Sequence, residues 1–157
     1  MAIFNEYTPG LGSVGNYQVA GTPWLTASII GPSGSSVVVG LNDSTYKVNF
    51  PYVTKEVTIV NLGSGEICCH LANDLGVFGD AGGGHAFTIP PSGTAPGSPL
   101  SKATFDMKTK EIYISNKHSQ IGIFQVYASV TRIDRLRMFE LTGSGINSMP
   151  GDATITP

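Results

Sequence analysis

The clearest hydrophobic pattern in the chain lies between residues 121 and 133. Read with a period of two, Phe124, Val126, Ala128 and Val130 fall on one side, and Ile123, Gln125, Tyr127, Ser129 and Thr131 on the other. Alternation in β-branched and aromatic residues predicts a long antiparallel strand with one face on a core. Upstream, Tyr46, Val48 and Phe50 alternate with Thr45, Lys47 and Asn49, and Pro51 closes that run. Val53, Val57 and Ile59 share the inner face of the next run, and Ile67, Cys69 and Leu71 that of the run after it. Gly63-Ser64-Gly65 between those two predicts a hairpin. A short strand is expected over residues 85–89. A second hairpin is expected from residues 103–107 and 110–115, turning at Lys108-Thr109. The one helical turn anticipated lies over residues 134–138. About seven closely spaced strands without helical periodicity predict an all-β fold, an antiparallel β-sandwich or jelly-roll-like domain.

The pattern thins at both ends. Residues 1–44 hold only short apolar pieces separated by Pro9-Gly10, Gly21-Thr22-Pro23 and Gly31-Pro32-Ser33-Gly34. They predict an extended N-terminal arm with short edge strands, either flexible or ordered against a neighbouring subunit. The β-sandwich core is expected over 45–140, and 141–157 form a C-terminal tail. Composition sharpens this division. With 20 Gly and 10 Pro in 157 residues and only 13% charged residues, the chain suits strands and long connections better than helices. The loop at 90–99 reads as extended and exposed, a contact loop or surface knob.

A net charge of −2 offers no general attraction to nucleic acid or anionic membrane. No apolar run approaches the ~20 residues that span a bilayer, and the first residues show neither a basic nor an apolar leader segment. Synthesis in a cytoplasm is the expectation. The two cysteines, Cys68 and Cys69, are adjacent and make no disulfide framework.

Candidate chemistry is sparse. In Cys68-Cys69-His70, neighbouring strand residues point to opposite faces, so the three cannot share a tetrahedral metal ion. Structural roles are expected. Asp80-Ala81-Gly82-Gly83-Gly84-His85 has the glycines of a phosphate loop without its Lys, its Ser/Thr or a following helix. His70, His85 and His118 sit in no nucleophile or metal motif, and the acids are scattered, so no enzymatic activity, metal or cofactor is expected. A glycan-binding module would need exposed aromatics on one face, for which Tyr113 and Tyr127 are the paired candidates.

Arg132, Arg135 and Arg137, around Asp134, form the strongest polar signal. They either solvate the end of a strand or pair with a partner subunit, a use for which the guanidinium fork is suited. Three arginines in an acidic chain do not make a nucleic-acid surface. Trp24, the single tryptophan, is an anchor either for a neighbour's pocket or for its own sandwich.

Three stretches, taken in order, resemble small virion structural proteins of tailed phages, especially those of cyanobacteria and other marine bacteria. They are Val14-Gly15-Asn16-Tyr17-Gln18-Val19-Ala20-Gly21-Thr22-Pro23-Trp24-Leu25-Thr26, then Val48-Asn49-Phe50-Pro51-Tyr52-Val53-Thr54-Lys55, and finally Arg137-Met138-Phe139-Glu140-Leu141-Thr142-Gly143-Ser144-Gly145. The resemblance implies a non-enzymatic particle component, first a capsid decoration or cement protein, alternatively a tail, neck or tube component. It implies the phage major capsid protein or neighbouring virion subunits as partners, a homo-oligomer, and the virion capsid as final location. The candidate subunit-interface residues are then Trp24, Arg132, Arg135, Arg137, Phe139 and Leu141.

Overall fold

A computed structural model describes residues 21–31, 45–71, 86–93, 101–116, 119–138, 141–142 and 145–146. Eight strands build two antiparallel four-stranded sheets. They are β1 (Thr22–Ile30), β2 (Thr45–Asn49), β3 (Tyr52–Asn61), β4 (Ile67–His70), β5 (Ala86–Ile89), β6 (Ser101–Phe105), β7 (Glu111–Asn116) and β8 (Gly122–Asp134). Sheet A has the order β1-β8-β3-β6 and sheet B the order β2-β7-β4-β5. A short pair, β9 (Leu141–Thr142) and β10 (Gly145–Ile146), follows. The predicted all-β sandwich is the observed architecture.

The alternation places side chains as expected. Phe124, Val126, Ala128 and Val130 of β8 point inward and are buried, in one core with Val57 and Ile59 of β3, Val48 of β2 and Phe50 just after it, and Ile112 and Ile114 of β7. Burying one such side chain stabilises the fold by about 1.5–3 kcal/mol. Ile30 of β1 belongs to the same core. Residues 22–30 are thus integral to the sandwich, and the core begins at β1 instead of residue 45. Residues 1–20, 32–44 and 147–157, the loop at 74–84 and residues 94–99 lie outside the described residues.

Both expected hairpins prove to be crossings between the sheets. β3 pairs with β8 and β6, whereas β4 pairs with β5 and β7. Likewise β6 belongs to sheet A and β7 to sheet B. Alternation tells which side of a strand is buried, but two strands with facing apolar rows satisfy it equally well across a core as beside each other. Asn61 fastens the first crossing. Its buried side-chain amide donates to the carbonyls of Gly65 at 2.8 Å and Pro90 at 2.9 Å, and its Oδ1 accepts from the Gly63 N–H at 2.9 Å. Thr54 fastens the second, its hydroxyl donating to the Met107 carbonyl at 2.9 Å and accepting from the Thr109 N–H at 3.0 Å.

The pairing of β3 with β8 is irregular between Tyr52 and Glu56. There the inward parity of β8 changes: Val130 and Thr131 are both buried, and Ile133 then faces inward while Arg132 and Asp134 face out. An extra residue in one strand has this effect on every side chain beyond it. Thr131 is accommodated by donating to the Val53 carbonyl at 2.8 Å. Past this point Val53, Ile133 and Met138 make a second, small core on which Leu141 packs. The anticipated helical turn is a 3₁₀ turn at Arg135–Arg137, capped by Asp134 Oδ1 accepting from the Leu136 N–H at 2.8 Å.

Candidate interaction surface

The inward row of β1 leaves its other row, Pro23, Leu25, Ala27 and Ile29, on the outside of sheet A. Register sets Leu25 opposite Tyr127 and Ile29 opposite Ile123 on β8. All four are exposed, Leu25 to 71% and Ile29 to 49%. Leu62, which follows β3 and bonds through its N–H to the Ile123 carbonyl, and Ile121, which precedes β8, are also exposed. Such cross-strand pairs stabilise a sheet locally, yet here their outer surfaces face solvent. β1 is also an edge strand, paired only to β8 among the described residues.

At the Thr22 end of β1 the surface turns into a groove of about 360 Å³. It is lined by Pro23, Trp24, Pro51, Tyr52 and Arg132, with Thr22, Val130 and Thr131. Two of the six candidate interface residues, Trp24 and Arg132, therefore meet here. Trp24 is half-buried and packs edge-to-face on Phe50, ring centroids 5.1 Å apart, so its anchor lies within its own sandwich while one side lines the groove. Arg132 owes its outward direction to the parity change in β8.

The other four candidates separate. Arg135 is held internally, with Nη2 3.1 Å from Asn49 Oδ1 and 3.7 Å from Glu111 Oε2. Arg137 is exposed on the 3₁₀ turn. Leu141 packs on the small core. Phe139 lies outside the described residues.

The outer face of sheet B carries a polar constellation that the sequence pattern did not reveal. Lys47 Nζ is 2.9 Å from Glu111 Oε2, and the Tyr113 hydroxyl donates to Glu111 Oε1 at 3.0 Å. Lys47 also sits over the Tyr113 ring, 5.3 Å from its centroid. The hydrogen bond to Glu111 outweighs burial and holds the Lys47 ammonium above its ordinary pKa. Burial pushes the Glu111 carboxyl up, but the Lys47 and Tyr113 hydrogen bonds together pull it below the ordinary range. Burial foremost raises Tyr113. Only the β2–β7 register, which sets Lys47 opposite Tyr113, brings these residues together, and no local sequence signal announces it.

Deeper in the same face, His70 Nε2 lies 2.7 Å from Ser115 Oγ, which also meets Thr45 Oγ1 at 2.8 Å. The His70 ring stacks on Tyr113, with centroids 5.7 Å apart. A histidine at this distance can take a serine proton, but both residues are only 2% exposed, which denies a substrate access in this conformation. Cys68 points to the same side, its sulfur 3.7 Å from Thr88 Oγ1. Cys69 points into the main core, where burial, with Cys68 adding to it, pushes its thiol up to about 12. That thiol is inert at neutral pH. Among the described residues, no three His, Cys, Asp or Glu side chains converge on a metal-sized site, and no helix is long and apolar enough to cross a membrane.

No family model matches the chain, and neither the curated proteins nor the solved structures contain a match to it.

Proposed function

We propose that this protein is a non-enzymatic structural component of a tailed-phage particle, a decoration or cement protein that binds the major capsid lattice. The observation that carries the reading is the exposed apolar row of β1 and β8, which ends in a groove presenting Trp24, Tyr52 and Arg132. Aromatic residues and arginine beside an apolar area are what interfaces enrich. The three resembling sequence stretches supply the phage context, and two of them contribute to this groove: Pro23 and Trp24 from the first, Pro51 and Tyr52 from the second.

A lattice presents the same surface many times, so a modest contact per subunit sums to firm attachment. The test is cosedimentation of the purified protein with emptied particles of the phage that encodes it. Wild type is expected to sediment with them, and Arg132→Glu to bind roughly tenfold more weakly. Absence of the protein from purified virions would sink the reading. Density at a tail or neck instead of the shell would move it to those parts.

A further inference from the structure

The four edges of the two sheets are unequal. β5 is four residues long, and β2 and β6 are five residues each and carry Lys47 and Lys102. Short length and lysine are the ordinary devices by which proteins keep an edge from pairing with another chain. β1 has neither. It runs nine residues, Thr22-Pro23-Trp24-Leu25-Thr26-Ala27-Ser28-Ile29-Ile30, without a charge, and its pairing with β8 is regular from end to end. Pro23 interrupts the potential donors only near its start.

We infer that β1 is a homodimer edge: two copies join β1 to β1 antiparallel about a two-fold axis, making one eight-stranded sheet from their two copies of sheet A. The occupant is a second copy because an uncharged strand is its own complement. Antiparallel apposition of like strands places no like charges opposite each other, and a two-fold interface needs a self-complementary patch. Leu25 and Ile29 of each copy then lie beside the partner's outer row, extending the Leu25–Tyr127 and Ile29–Ile123 pairs into one apolar strip. Edge pairing covers the flanks of Leu25 and Ile29 that point away from β8, while Ile123 and Tyr127 on β8 and Leu62 beyond it stay open on the outer face. The contact, paired backbone plus the flanks of Leu25 and Ile29, falls short of the ~1,000 Å² that marks a stable specific interface. The dimer is therefore concentration-dependent, well suited to closing once copies are held side by side. The inference deepens the assembly reading above by naming a partner for the β1 edge, but its argument rests on β1 alone.

The experiment is sedimentation velocity of the full chain across a dilution series, for wild type, Leu25→Lys and Thr104→Lys. Thr104 is exposed on β6, at the far edge of the same sheet. Wild type and Thr104→Lys should dimerise alike, while Leu25→Lys raises the dissociation constant by roughly a hundredfold with an unchanged far-UV spectrum. As a second measurement, Ala27→Cys near the strand centre should be captured as a dimer by a short bis-maleimide linker, and Thr104→Cys should not. Should Leu25→Lys fail to fold, the linker result decides. A wild type that stays monomeric, or a dimer unaffected by Leu25→Lys and not linked through position 27, overturns the proposal. Protected β1 amides in a monomer would overturn it too, assigning the edge to another segment of the same chain. A monomer that still sediments with emptied capsids would end the dimer and leave the attachment reading standing. A dimer that ignores capsids would do the reverse.

Discussion

The outer faces of the two sheets invert the usual rule that polar surface is open and apolar surface closed. On sheet B, Thr45, Lys47, Cys68, His70, Glu111, Tyr113 and Ser115 lie on one face, most of them shielded from water and joined by hydrogen bonds and an ion pair. On sheet A, Leu25, Ile29, Ile123 and Tyr127 are apolar and open. A buried polar group is tolerated only when paired, and sheet B meets that condition inside the chain. Exposed apolar area gains by being covered, and the described residues leave sheet A uncovered. One face is closed within the monomer, and the other stays open among the described residues.

The largest effect should come from what the two sheets share. Phe50, fully buried and in contact with Trp24 of sheet A, bridges them. Phe50→Ala should cost about 3–5 kcal/mol in chemical denaturation and weaken both faces together. Next is the sheet B network. Ser115→Ala removes the hydroxyl facing both His70 and Thr45, and should cost about 1–3 kcal/mol while leaving association through β1 unchanged. If Ser115→Ala proved neutral, the claim that sheet B is held by its polar contacts would fail. Ile29→Ser on sheet A should do the opposite, moving monomer stability by about 0.5 kcal/mol or less while reducing association.

The smallest effect is the pH response of the Lys47–Glu111 pair. Glu111 has a folded pKa below its unfolded one, so it adds stability above the ordinary glutamate range. That contribution is lost as pH falls through the lower, folded value. Lys47 is part-exposed, which limits the pair to under about 1 kcal/mol. Glu111→Gln should flatten this acid limb in urea titrations made at a series of pH values. An unaltered limb would show that other carboxylates set it.

The inner row of β8 was legible because period-two alternation is a local signal, and Phe124 to Val130 keep it without interruption. The switch at Thr131 was not, since it depends on the irregular pairing with β3, some 75 residues away by the register. The two misplaced hairpins have the same origin. Gly63-Ser64-Gly65 marks a reversal, but whether a strand returns beside its predecessor or across from it depends on who else needs that edge, and β8 and β6 occupy both edges of β3. At the candidate surface, Trp24 and Arg132 were legible by residue type and do converge on one groove. Arg135 looked alike in sequence, yet Asn49 and Glu111, contributed from the other sheet, hold it.

The order of pairing has a consequence for how the chain is made. β1 and β3 both rely on β8, and β2 and β4 both rely on β7, so one of the two central strands of each sheet leaves the ribosome after both strands it must join. Among the described strands of the two sheets, only β4 and β5 are consecutive and pair with each other. Little can therefore be locked in place during synthesis, and sheet A must wait for its longest strand. Folding that waits on such distant pairings is slow. During that interval the uncharged β1 is open on both of its edges, and translation that outpaces folding would direct the chain toward aggregates seeded there.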